Sequence, residues 1–494
     1  MIRRLCDSFF VLLVSAGVGF LSLAIGLHGE VCADDAPVAK AALFESINHR
    51  NDAVWKLARD IWSFAEPGYQ EKKSSASLRE MLKSAGFAIE SEIGGIPTAF
   101  TATVGGGKPV IGILGEFDAL PGLSQNAVPY REPAQEGGYG HGCGHHLYGA
   151  ASASAAIAIA EQIKAGKIKG TVRFYGCPAE EGGSGKVFMA QAGAFTDCDA
   201  ILHWHPGHEN SAGDRSTLAR MAVKFRFHGK AAHAAAAPEQ GRSALDAVAL
   251  TNYAAELMRE HTPDQSRIHH VITAGGRAPN VIPDFAEVYY YIRHPEGEVV
   301  RQLYERLVLC AKGGALATET RLEIRFEGGI REILPNNALS QVTMRNLREI
   351  CDLEYDDSEI EFALKLQATL DSPDPLTSIR EIEDRSGTVG KGSTDVGDVS
   401  WQVPTTGFTT ACWVPGTPAH SWQAVAAGGS TIGRKGLNLA ARVLAASAWD
   451  LYTKPDLLEA GKLEHQRRIG NQSYQSLMID GQKPPLDYRD PPKR

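Results

Sequence analysis

Short apolar stretches bounded by glycine recur through the first half of the chain. Segment 110–114 reads Val-Ile-Gly-Ile-Leu, and 171–175 and 200–205 resemble it. Such stretches suit strands buried on both faces of a parallel sheet. Segment 147–165, between the first two, is rich in alanine and long enough for a well-packed helix; 41–64 carries the period of an amphipathic helix. Strands alternating with helices predict an α/β catalytic domain, built on a largely parallel sheet with helices on both faces.

Near residue 219 the pattern changes. It predicts a strand over 220–227, a helix over 243–259, strands over 267–273 and 285–293, a helix over 298–312 and a strand over 322–326. That β-α-β-β-α-β order is the split, ferredoxin-like motif, and its length suits an inserted domain. Helix and strand patterns resume after 335 and end in a long helix over 430–451. From 470 the chain is polar and proline-bearing, which predicts a tail that wraps or frays. The expected division is a leader (1–33), a catalytic domain in two parts (34–218 and 336–465), an inserted lid and dimerisation domain (219–335), and a C-terminal tail (466–494).

Composition narrows the choice of partners. With 494 residues, 43% hydrophobic and 22% charged, the chain is too long for one core and too apolar for disorder. The 50 basic and 58 acidic residues leave a net charge of -8, so no electrostatic case exists for nucleic acid. Eight cysteines, spread singly, do not make a disulfide framework. Arg3 and Arg4, the uncharged run 9–27 and the small residues around Ala33 have the three-part shape of a secretory signal peptide. An exported protein, periplasmic or secreted, is expected, with an uncleaved N-terminal anchor as the alternative and membrane contact only in that case.

Histidine is concentrated. Six of the 16 (His141, His145, His146, His203, His205, His208) lie between 141 and 208, where proportion gives about two. Cys143 and His145 are two apart in a glycine-rich turn before a helix, a spacing that can aim both at one ion. Glu180 and Glu181 follow a buried strand; one can ligate a metal while the other handles a proton. His203 and His205 share one strand face. His420 lies in a late loop, and Glu116 and Asp118 directly follow the first apolar strand. Each has a plain alternative as turn, acidic loop or core histidine; their order and spacing together are specific.

The chain resembles the clan of dinuclear metallopeptidases and amidohydrolases that includes aminoacylases, hippurate hydrolase and auxin-conjugate hydrolases, and within it the p-aminobenzoyl-glutamate hydrolase branch. The resemblance runs over about 45–455. It rests on GEFDALPG at 115–122, GCGH at 142–145, PAEEGG at 178–183, WHP at 204–206 and GSTDVGD at 392–398. It implies that Cys143, His145, Glu181, His205 and His420 bind two divalent ions, zinc or manganese. It also implies Glu180 as general base and Asp118 as an orienting group behind the ligands. His233, in a GKAAHA segment, would polarise the scissile carbonyl, often at a partner subunit's site, and Asn280 and Arg293 would bind the substrate carboxylate. Arg293 as a structural ion pair is the alternative.

The implied activity is hydrolysis of the amide bond of small N-acyl amino acids, such as aminobenzoyl-glutamate, by a homodimer joined through the inserted domain. A dipeptidase or aminocarboxypeptidase on the same site is one rival, and an inactive binding or scaffold protein is another. Two departures stay open. Glu116 stands where the wider clan has histidine, and His146 where many relatives have aspartate.

Overall fold

The computed structural model describes residues 36–489, so the leader read over 1–33 lies outside the described residues. Twelve strands are described: β1 (Ala88–Ser91), β2 (Phe100–Gly106), β3 (Val110–Glu116), β4 (Gly170–Cys177), β5 (Ala200–Gly207), β6 (Asn210–Ala212), β7 (Ala219–His228), β8 (Arg267–Ala274), β9 (Phe285–His294), β10 (Arg321–Ile330), β11 (Ile382–Asp384) and β12 (Thr405–Ala411). They form an 8-stranded sheet, ordered β1-β2-β4-β3-β5-β12-β6-β11, and a 4-stranded sheet, ordered β10-β7-β9-β8.

The larger sheet is α/β and mostly parallel, as its apolar runs predict. β3 is buried along its whole length and pairs in parallel with β4 and β5; β5 pairs in parallel with β12. Two joints are antiparallel at one edge, β1 with β2 and β2 with β4. Near the other edge β12 meets β6 antiparallel, and β11 lies parallel to β6. The alanine-rich helix His145–Lys164 is buried nearly throughout and packs against β3, β4 and the second alanine-rich helix, Thr431–Thr453. Small side chains let both helices approach closely, so the core there is mostly backbone and methyl groups.

The predicted helix over 41–64 is two helices. Ala36–His49 and Asn51–Phe64 meet at Arg50, whose φ of -97° and ψ of 5° leave the helical region. Both pieces still bury one stripe, Leu43 and Ile47 in the first, Val54, Leu57 and Ile61 in the second. Apolar periodicity therefore survives the break and hides it from the sequence.

The second sheet has the predicted β-α-β-β-α-β order, with helices Ala244–Arg259 and Gly297–Thr318 packed on it. Ser243 caps the first helix, accepting from Asp246 N at 3.1 Å. One sheet face supplies Met221, Val223, Phe225, Val288, Tyr290 and Ile292 to a separate core. Among the described residues the tail from Gly470 has no helix or strand, yet it is anchored: Leu477 is buried in the core of the second sheet and Met478 in the main core. Among the described residues no helix is long and apolar enough to cross a membrane.

Candidate metal centre

Strands β4, β3, β5 and β12 are parallel neighbours, so their carboxyl ends open on one edge of the sheet, where ligands bind in folds of this kind. The strands and loops predicted to carry the metal ligands and the base end there. β3 leads into Asp118, β4 into Glu180 and Glu181, β5 holds His205, and the loop after β12 holds His420. Gly144 turns the chain between Cys143 and the first residue of helix His145–Lys164. Its φ is 77°, and a Cβ there would stand 2.8 Å from Pro206 Cβ, so glycine is required. His420 also adopts the left-handed region, at φ 57°, with its N–H donating to Gly142 O at 2.9 Å. That strain places its ring over the cluster.

Three overlapping sets of donors result: Cys143, His145 and His205; Cys143, Glu181 and His420; His145, Glu180 and Glu181. Within each set the ligand atoms lie within 4.8 Å of one another. Cys143 Sγ is 3.4 Å from His205 Nε2, and His205 Nδ1 donates to Pro206 O at 2.7 Å, which leaves Nε2 free to ligate. His145 Nδ1 donates to Asp118 Oδ1 at 2.8 Å, while Asp118 Oδ2 accepts from Glu181 N at 2.9 Å. Asp118 thus sets both a ring and a loop.

The electrostatics of the cluster show an excess of negative charge. Burial and then Glu181 push the Cys143 thiol well above the usual thiol range. Burial and then Glu181 also push the Glu180 carboxyl well above its ordinary value. Burial opposes charging His145, but Glu116, Cys143 and Asp118 together raise it well above the imidazole range. His145 Nε2 is buried and makes no hydrogen bond, with Glu116 Oε2 3.0 Å away. Glu181 Oε1 is likewise unpartnered at 3.3 Å from His420 Nε2. Buried imidazole and carboxylate atoms without hydrogen-bond partners, beside a cysteine sulfur, fit divalent metal ions.

The model of peptidase family M20/M25/M40 matches residues 112–423, which span this cluster and the second sheet. The chain belongs to that family. It is accordingly a hydrolase acting on C–N bonds. The chain is 41% identical to a p-aminobenzoyl-glutamate hydrolase polypeptide of Escherichia coli over 85% of its own length and 93% of the relative's. It is 29% identical to the Xaa-Arg dipeptidase of Mus musculus over 89% of its length and 95% of that protein's. Among solved structures, an aminobenzoyl-glutamate utilization protein from Klebsiella pneumoniae shares the fold with a TM-score of 0.61 at 18% identity, covering 83% of this chain and 99% of that one. A dinuclear metal-binding family member from Bacillus subtilis does so with a TM-score of 0.56 at 18% identity, covering 82% and 99%.

The two open positions acquire partners. Glu116 Oε1 lies 2.6 Å from Lys186 Nζ, and Lys186 Nζ lies 2.7 Å from Asp395 Oδ1, all three buried. Glu116 is therefore held by a lysine beside the donors. His146 Nε2 donates to Gly428 O at 3.1 Å and its ring packs on His141, so it belongs to the helix packing and to none of the three donor sets. Arg293 lines the cavity over the cluster, a space of about 930 Å³. His233 and Asn280 do not line it; both are exposed on lid loops, where Ala234 N donates to Asn280 O at 3.0 Å.

Sequence reasoning missed Lys186 and the tail. Lys186 was detectable as a lone charge in the apolar helix Gly185–Gln191. The tail returns to the site: Tyr488 Oη and Arg489 Nη2 donate to Glu181 O at 3.2 and 2.6 Å, and both residues line the cavity. No periodic signal marks them. Truncation after Asp480, which keeps the buried Leu477 and Met478, should weaken metal affinity by about 10-fold or more while leaving the circular dichroism spectrum intact, since partners behind a ligand set its orientation. Unchanged metal affinity by competitive chelator titration would reduce the tail to a cover.

Proposed function

We propose that this chain is a dinuclear metal-dependent amidohydrolase that cleaves the amide bond of N-acyl amino acids, aminobenzoyl-glutamate-type conjugates among them. The observation that carries this reading is Glu180. It shares a donor set with His145 and Glu181, and it lines a cavity large enough for an aromatic acyl amino acid. Cys143, His145, Glu181, His205 and His420 would hold the ions. When bound, these supply Lewis acidity and lower the pKa of a water.

Glu180 takes the proton of the attacking water and delivers it to the leaving amine. Asp118 holds His145 in one tautomer through Nδ1. Arg293 offers a planar guanidinium to the carboxylate of the amino acid. The cationic cavity wall, with Arg220, Lys224 and Arg293, opposes a basic side chain, which separates this reading from that of the Xaa-Arg dipeptidase relative. His233 and Asn280, exposed on the lid, would serve the partner's site in a two-fold dimer.

Protein stripped by chelation and reloaded with zinc or manganese should release amino acid from N-benzoyl or aminobenzoyl amino acids. Absence of turnover across such a panel, in metal-replete protein, would overturn the reading. Ligation by Cys143 has its own test in alkaline buffer, because burial and Glu181 hold this thiol well above the usual range. Peptide mapping should find iodoacetamide labelling of Cys143 at least about tenfold faster in stripped than in loaded protein, with half-buried Cys310 as reference. Equal rates would remove Cys143 from the site.

A further inference from the structure

The lid sheet has two faces, and the one turned away from its helices is charged. β7 and β9 pair with Arg220 opposite Arg293, Ala222 opposite Tyr291 and Lys224 opposite Tyr289. Strand alternation puts all six on one face. Arg220, Lys224, Tyr289, Tyr291 and Arg293 line the same cavity as Glu180, Glu181 and His205.

Arg220 is 8% exposed, yet among the described residues its side chain makes neither an ion pair nor a hydrogen bond. Its guanidinium lies 4.9 Å from the centroid of the Tyr291 ring, and its Nε is buried with no acceptor. Arg293 lies 5.5 Å from the same ring; its Nε is also buried and unpartnered, and Nη1 donates to Ser393 Oγ at 3.3 Å. Burial and then Arg220 hold Arg293 below the usual guanidinium range.

The carboxylates of the cavity are committed elsewhere. Glu327 has Lys224 at 3.5 Å and Arg325 at 2.8 Å, and Asp214 has Arg468 at 3.2 Å. Glu116, Glu180 and Glu181 belong to the metal cluster and its support. A tyrosine ring attracts a cation but offers no lone pairs for the five N–H donors of a guanidinium. Two such groups, each with a buried Nε that has no acceptor and with one serine hydroxyl between them, call for anions supplied by a ligand.

We propose that Arg220 and Arg293 form a receptor for the two carboxylates of an N-acylated acidic amino acid, with Arg220 selecting the acidic side chain. Arg293 takes the α-carboxylate, and Arg220 distinguishes a dicarboxylic amino acid from a neutral one of equal size. This rests on the amidohydrolase reading of the adjacent cluster.

The test compares kcat/KM for N-benzoyl-glutamate, N-benzoyl-glutamine and N-benzoylglycine in metal-loaded wild type, Arg220→Met and Arg220→Lys. Glutamine differs from glutamate in charge more than in shape. The wild type should favour glutamate over glutamine by about 100-fold, because a site built for a charged acceptor rejects an analogue lacking it. Arg220→Met should erase at least about tenfold of that preference, mainly through KM, and Arg220→Lys should restore part of it. Hydrolysis without preference for glutamate, or a preference intact in Arg220→Met, overturns the proposal and leaves the hydrolase reading standing.

If no amide is turned over, the hydrolase reading fails separately. Glutarate titrated into metal-free protein then decides the arginine pair: weaker binding by Arg220→Met supports it, and equal binding overturns it. Sulfate binding as tightly as glutarate reduces the pair to a general anion site and also overturns the selectivity.

Discussion

Glu180→Gln should keep the metal content of the wild type and lose at least about 100-fold in kcat, the lower end of what a positioned general base contributes. The two side chains have nearly the same shape, so the substitution removes a proton acceptor and little else. Glu180 shares a donor set with His145 and Glu181, while Glu181 alone of the two carboxylates also joins the set of Cys143 and His420. Glu181→Gln should therefore lose metal, and Glu180→Gln should not. Metal analysis of both proteins, run beside single-turnover kinetics, separates a base from a ligand. A metal-replete Glu180→Gln enzyme within a few-fold of wild-type kcat would show that the water is activated without Glu180. Loss of metal from Glu180→Gln would instead make Glu180 a ligand.

The parts of this site legible in the sequence are those whose signal is local. Cys143, Gly144 and His145 lie within one turn, and the chemistry of a C-x-H spacing follows from three residues. Glu180 and Glu181 stand after an apolar run, and that run alone puts them at a strand end. The lid is legible because each of its six elements carries its own period, and their order names the motif. Contacts between distant segments leave no such trace. Lys186 and Asp395 are 209 positions apart, and Arg489 reaches Glu181 across 308. The role of Glu116 depends on Lys186, so it could not be read from the GEFDALPG segment alone. His146 follows His145 on a helix, where the next residue turns about 100° from the first, so its neighbour's position at the cluster sends it toward Gly428. His233 and Asn280 are exposed on lid loops of a single chain. A function exercised in a partner's site leaves no local signal of period or spacing, so only the resemblance of the GKAAHA segment points to it.

Replacing Lys186 by methionine should cost about 3–5 kcal/mol of stability in metal-free protein, the cost of removing one member from a buried ionic group. Methionine fills a similar volume, so packing changes little. What remains is Glu116 and Asp395, both buried, without the cation that stands 2.6 and 2.7 Å from them. Asp395 retains one donor, the backbone N–H of Lys186 at 2.9 Å, whereas Glu116 is left beside His145 Nε2 at 3.0 Å. The sign of the pH dependence distinguishes this cause from lost packing. Carboxyls orphaned in the folded variant hold their protons more tightly than in the unfolded chain, so the variant loses stability as pH rises from about 4. Its deficit against wild type should therefore be smaller near pH 5 than near pH 7 in urea denaturation. Adding Glu116→Gln and Asp395→Asn to Lys186→Met should recover part of the loss, because neutral amides in that pocket cost less than unpaired carboxylates. A deficit flat with pH and unrelieved by those amides would assign the role of Lys186 to packing. The recovered triple variant would then show what the charges do for the metals. Glu116 freed from Lys186 becomes a competitor for His145, and a shift in metal affinity that follows Glu116→Gln would tie the ion triad to the centre it lies behind.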